Sequence, residues 1–347
     1  MELKQLTPTE KQELAFTKKR VMYNNNWHKS PWYELAQKQF MDRLKALQKT
    51  QIFESVKLHI DNATTVLFND AYLNKLHSII TDIYDDLPLY PDAAFDKAWS
   101  ALEIAMNLYR KRILDGGYTE TDKMMEVICK QELASLFKDN QELKSSLFKL
   151  FDIMPLSVAR FAFARLFHHR EIEIQSHYGK IKQRIQSLLG DQVYNGLCTK
   201  YQLTDDQGQN AKLHYASAQE IRDIFKGAPI HTTEKTYEKL EEYKRLWFMM
   251  SGVLYTARNE RFHGDNFSHF KSSLSSIKTY GHFYYLLLFT YSLLWTVMLR
   301  LSLKSGYPDF VTANQVQTSI DRNIELYKMA FKAVSYTHLT LPTICSV

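Results

Sequence analysis

The chain has 347 residues, of which 45% are hydrophobic and 24% charged, a balance that excludes a disordered chain and leaves room for one large or two ordinary cores. A formal charge of +6 is mildly basic; it favours anionic partners slightly and by itself assigns no nucleic-acid role. Cys129, Cys198 and Cys345 share no motif spacing, which argues against a disulfide framework or a zinc site and fits reducing, cytoplasmic surroundings.

Only 11 Gly and 8 Pro interrupt stretches rich in Leu, Lys, Glu, Gln, Ala and Met, so an all-α fold is predicted. The polar start MELKQLTPTEKQE has no apolar core of the kind a secretory leader needs. Thr7-Pro8-Thr9-Glu10 predicts a helix start, with Thr7 as cap, Pro8 in the first turn and Glu10 closing a capping box. Helical patterns follow over 8–22, 31–60 and 64–84, with Asn24 to Tyr33 as a connector.

Asp85-Asp86-Leu87-Pro88 and Pro91 then mark a boundary. Phe95, Trp99, Leu102, Met106 and Tyr109 recur at three- and four-residue steps, predicting an amphipathic helix from Asp92 to Leu114 that stops at Gly116-Gly117. Further helices are predicted over 120–137, 139–150, 155–188 and 216–227, with Thr204 to Asn210 as a loop. Thr232-Thr233-Glu234 reads as the start of a helix running through Glu241, Trp247 and Tyr255 into Arg258. A polar, Ser-rich stretch spans 265–276, an apolar helix 282–303, and Gly306-Tyr307-Pro308 turns the chain into a last helix over 313–333.

Two segments bear on membranes and on the chain end. Phe283 to Leu299 is an uncharged run near the lower limit for a membrane span. Its hydroxyls at Tyr284, Tyr285, Thr290, Tyr291, Ser292 and Thr296 would need partners in lipid, so a central core helix is expected. Val334 to Val347 breaks the helical pattern with an uncharged, β-branched string that resembles translated sequencing-adapter sequence; it is expected to be a non-native tail.

Arg258-Asn259-Glu260-Arg261-Phe262-His263-Gly264 carries the functional signal. An Arg and a later His with four to six residues between them are expected about 1.5 times by chance in this composition, and the chain has two such pairs, Arg258/His263 and Arg170/His177. Spacing alone therefore carries no weight. Context separates the first pair: Asn259 follows the arginine, Phe262 and Gly264 flank the histidine, and a strongly apolar helix comes next.

The string LYTARNERFHG over 254–264 resembles the signature of the HEPN superfamily, in its Apea-like Arg-Asn-x-x-x-His-Gly form. The helix with Phe95, Trp99, Leu102, Glu103 and Tyr109 is similar to that family's opening helix. The resemblance implies a HEPN-like helical bundle over 91–333 with inserted helices, preceded by a helical region of unknown role over 1–90. It implies a metal-independent endoribonuclease without a cofactor, acting on RNA through the 2′-hydroxyl, with Arg258, His263 and Asn259 as catalytic residues. Histidine can move a proton near neutral pH, and arginine is always charged and matches non-bridging phosphate oxygens. One motif supplies one Arg and one His, whereas in-line cleavage wants both a base and an acid, so a homodimer is implied. The family further implies a toxin or antiviral-defence role with an antitoxin or regulatory partner. A non-catalytic RNA-binding or protein-interaction module of the same type stays open, since Arg and His at a helix end can simply cap carbonyls.

Other groupings point to ordinary structure. His169, Glu173 and His177 share a helix face with metal-ligand spacing, but interleaved Arg170 and Glu171 favour a solvated charged face. Asp82, Asp85, Asp86 and Asp92 lack calcium-loop spacing and suit turn and cap chemistry. Lys18-Lys19-Arg20 with Trp27, Trp32 and Tyr33 mixes charge and aromatics as RNA-binding surfaces do, although helix surface is the plainer reading.

Overall fold

The computed structural model describes residues 7–26, 35–167, 177–201, 211–262, 269–272 and 275–331. The fold is all-α, with one two-stranded hairpin among the described residues.

The helix α1 (Pro8–Asn25) begins as its sequence dictates. The Thr7 hydroxyl accepts from the Glu10 amide, and the Glu10 carboxylate accepts from the Thr7 amide at 2.7 Å. The helices α2 (Leu35–Ala46), α3 (Ile60–Asn69) and α4 (Ala71–Asp85) follow. Residues 47–59 are not helical, which corrects the continuous helix expected over 31–60. Side chains distant in sequence satisfy the backbone there instead. Glu54 donates its amide to Asn323 Oδ1 at 2.8 Å, its carbonyl accepts from Ser319 and Asn323, and the Val56 amide donates to the Tyr291 hydroxyl at 3.0 Å.

Two helices make the spine. One is α5 (Pro91–Ile113) and the other α15 (Ile277–Ser305), named in chain order with those between them. They run in the same direction. Tyr280 and Tyr284 near the start of α15 donate to the carbonyls of Leu89 and Pro88 just before α5. At the far ends, Arg112 donates to the hydroxyl of Tyr307, just past α15. Along α5, Phe95, Trp99, Leu102 and Ala105 are fully buried, as the three-four spacing requires. Gly116 ends α5 at a φ of +76°, the left-handed region that glycine tolerates without steric cost.

α15 is long and apolar enough to cross a membrane, yet 89% of its most apolar stretch is buried inside this fold. Four of the six hydroxyls singled out in its sequence find protein partners: Tyr284 donates to the Pro88 carbonyl, Tyr291 accepts from Val56, Ser292 donates to the Leu288 carbonyl and Thr296 to the Ser292 carbonyl. Those of Tyr285 and Thr290 are buried without one among the described residues. Phe40 of α2 stacks on Tyr280 with ring centroids 4.2 Å apart, and the buried residues of α2 to α4 join the same core as α5 and α15.

The remaining helices pack on this spine or on one another. They are α6 (Thr121–Val127), α7 (Ala134–Asp139), α8 (Gln141–Asp152), α9 (Leu156–Leu166), α10 (His177–Leu189), α11 (Asp191–Tyr201), α12 (Ala211–Lys226), α13 (Glu242–Trp247), α14 (Tyr255–Phe262) and α16 (Ala313–Phe331). Of these, α16 lies against α15 and α12 against α9. π-helical turns join α6 to α7 (Ile128–Leu133) and α13 to α14 (Phe248–Leu254). Where a helix was expected from Thr232 there is a hairpin, β1 (Ile230–His231) paired antiparallel with β2 (Thr236–Tyr237). The reason is local. The Thr232 hydroxyl accepts from the Lys235 amide as an N-cap would, but the Thr232 amide donates to the Lys235 carbonyl and closes a turn. The helix starts only at Glu242.

Candidate functional site

Arg258 lies near the end of a helical rod that runs from Glu242 to Phe262 with the π-helical turns inside it. A π turn disturbs the regular hydrogen-bond ladder, and such turns recur at functional sites. Here the Ser251 carbonyl is taken by Arg184 of α10 at 2.9 Å. The same guanidinium pairs with Asp122 at 3.2 Å and lies 4.6 Å over the Tyr255 ring, the first residue of α14. A side chain at Gly252 would come within 2.8 Å of Ile185 and of Phe248, so glycine lets α10 pack close. These contacts tie the π turns and the first residue of α14 to α10.

On α14, Arg258 and Arg261 are one turn apart, and both reach α5. Arg258 donates to Asn259 Oδ1 at 3.0 Å and to Glu103 Oε2 at 3.5 Å, and its guanidinium sits 4.2 Å over the Phe262 ring. The Arg258 and Glu103 side chains are 25% and 27% exposed, so solvent reaches both. Asn259 is buried, and Phe262 presents its ring at the surface. Of the expected site residues the structure therefore brings Arg258 and Asn259 together; His263 lies outside the described residues.

Arg261 is the anchor that sequence reasoning passed over. It grips Asp96 with two nitrogens, at 2.7 to 2.9 Å, and pairs with Asp92 at 3.1 Å. Beside it, Glu260 is almost completely buried and pairs with Arg165 of α9 at 2.5 Å. Burial pushes the Asp96 carboxyl upward, with the Arg261 hydrogen bonds and charge opposing it. Arg261 is held above its ordinary value: burial opposes this, but the bonds and charges of Asp96 and Asp92 outweigh it. One signal was available: Asp92, Asp96 and Glu103 fall on one face of α5, with Trp99 between them. Three carboxylates at helical spacing facing two arginines at helical spacing make a docking interface.

The other groupings resolve as follows. Asp86 pairs with Lys97 at 2.8 Å, and Asp92 belongs to Arg261. Arg20 pairs with Glu13 at 2.5 Å and donates to the Lys271 carbonyl, while Lys19 lies over Phe16. Trp27, Trp32, Tyr33, His169, Arg170, Glu173 and the tail 334–347 lie outside the described residues. Among the described residues no group of three or more His, Cys, Asp or Glu is arranged to hold a metal ion. An open groove of about 470 Å³ lies elsewhere, lined by Thr50, Phe53, Lys57 and Tyr84 among others, and does not include Arg258. No protein-family model, curated protein or solved structure matches the chain.

Proposed function

We propose that this chain is an endoribonuclease of the HEPN type, cutting RNA at a site built around Arg258, Asn259 and His263. The observation that carries the reading is the presentation of Arg258. Its guanidinium is fixed on one side by Asn259, reaches solvent, and lies on the ring of an exposed phenylalanine. An arginine held this way suits a phosphate, and an aromatic ring beside it suits a base stacked next to that phosphate.

In this reaction RNA supplies its own nucleophile. The 2′-hydroxyl attacks phosphorus, the P–O5′ bond breaks, and the products carry a 2′,3′-cyclic phosphate and a 5′-hydroxyl. Arg258 stabilises the negative charge that builds on the non-bridging oxygens, Asn259 keeps the guanidinium in place, and His263 moves a proton. A second proton-transfer group is needed, and a second copy of the chain across a two-fold axis is one way to supply it. A toxin or defence role in the cytoplasm, restrained by a regulatory partner, is part of the same proposal.

A second reading has its own support. Glu103 already pairs with Arg258, and Asp92, Asp96 and Glu103 outnumber the two arginines they face, so the cluster could serve docking without chemistry. One experiment separates the two. Purified protein is incubated with RNA and with DNA of the same sequence, with and without EDTA. Cleavage of RNA alone, under both conditions, supports the nuclease; RNA retained on the protein but uncut supports the binding module.

A further inference from the structure

We infer that Glu103 is a proton-transfer group of the Arg258 site, taking the proton of the attacking 2′-hydroxyl while Arg258 holds the phosphate. The inference rests on the nuclease reading above and adds to it a base from the same chain.

The carboxylates around α14 are not equivalent. Asp96 is gripped by two nitrogens of Arg261, Asp92 pairs with the same guanidinium, and Glu260 is buried against Arg165. None of these can reach a substrate without abandoning a buried cation. Glu103 differs. Among the described residues its one ion pair is the 3.5 Å contact to Arg258, at the outer limit of a hydrogen bond, and its side chain is 27% exposed. It stands on α5 between fully buried Leu102 and Ala105, so its backbone is fixed while its carboxylate faces solvent beside the arginine. In RNA the 2′-oxygen and the scissile phosphorus belong to one ribose and its 3′-phosphate. A base for the first must therefore lie within a few ångströms of the cation that grips the second, and Glu103 satisfies this.

The step balances. The carboxylate takes the 2′-hydroxyl proton, the 2′-oxygen bonds to phosphorus, and the P–O5′ bond breaks. O5′ leaves with a proton drawn from the motif histidine of the reading above, and exchange with water resets both groups. One protomer then holds base and phosphate clamp together, and the second copy is no longer required to complete the chemistry.

The test compares steady-state RNA cleavage by wild type, Glu103→Gln and Glu103→Asp, each checked for native helicity and thermal unfolding. Glutamine keeps an oxygen that can accept from Arg258, so a merely positioning role survives the change while proton abstraction does not. The expected result is a fall in kcat of about 10²- to 10⁴-fold for Glu103→Gln with KM within about twofold, and a smaller fall for Glu103→Asp. Mixing Glu103→Gln with Arg258→Ala protomers should restore nothing, because both groups act within one chain. Wild-type kcat in Glu103→Gln overturns the inference and leaves the nuclease reading standing. So does faster cleavage with lower KM, which would make Glu103 only a competitor of the phosphate, and so does restored activity on mixing. Should Glu103→Gln lose its helicity, Glu103→Ala decides: undiminished kcat there overturns the inference. Absence of cleavage by wild type defeats the underlying reading and this inference with it.

Discussion

Arg261→Met is the perturbation that most directly probes how the site is held. Arg261, Asp92 and Asp96 have side chains only 16%, 10% and 25% exposed, so removing the guanidinium strands two carboxylates in a poorly solvated place. Breaking a buried pair from one side costs about 3–5 kcal/mol. For 347 residues unfolding with about 2.1 cal/mol/K each, that corresponds to a fall in Tm of about 4–7 °C. Because burial already pushes the Asp96 carboxyl upward, the pair is not a large net stabiliser, and removing the second charge should help. Asp96→Asn added to Arg261→Met should therefore recover at least about 1 kcal/mol, a coupling typical of residues in one network. Equilibrium urea unfolding followed by circular dichroism reads both effects. An Arg261→Met variant within about 0.5 kcal/mol of wild type, or a double variant whose losses simply add, would refute the claim that this network ties α14 to α5.

Two further predictions concern pH. His282 is packed against the Phe161 and Phe283 rings, and burial holds its imidazole down to about 4. The unfolded chain, with histidine near 6.5, binds the extra proton first, so stability should fall by about 2–4 kcal/mol as pH drops from 6.5 to about 4. His282→Phe should flatten that stretch of the profile; an unchanged slope would show that another group produces it. Asp70 behaves in the opposite way. Burial alone would raise its carboxyl, but hydrogen bonds from Arg112, Tyr307 and the Leu73 amide, with the Arg112 charge, hold it well below its ordinary 3.8. That stabilisation is present above 3.8 and lost as pH falls below it. Asparagine still caps α4, so Asp70→Asn should lose about 1–3 kcal/mol at neutral pH through the Arg112 and Tyr307 contacts alone. A variant as stable as wild type contradicts this.

Much of the fold was legible where local chemistry decides. The capping box at Thr7 and Glu10, the apolar stripe of α5 and the glycine stop at Gly116 are each written within a few residues. The segment 47–59 was illegible for the converse reason. Its backbone is satisfied by Tyr291, Ser319 and Asn323, more than two hundred residues away, and no local pattern encodes such partners. Thr232 misled because a threonine hydroxyl accepting an amide three residues on serves a turn as well as a helix start. The π turns before α14 leave no periodic trace in the sequence. Arg258 and Asn259, singled out from their neighbours in sequence, do meet in the fold. Arg261 was missed because its partners are on another helix, and its importance appears only once α5 and α14 are packed together.

The most direct test of the central claim is the chemistry of the RNA ends left by wild-type protein and by Arg258→Ala, both helical, in the presence of EDTA. The account predicts 2′,3′-cyclic phosphate and 5′-hydroxyl termini from wild type and intact RNA from the variant. The same termini at the same rate from Arg258→Ala would contradict it.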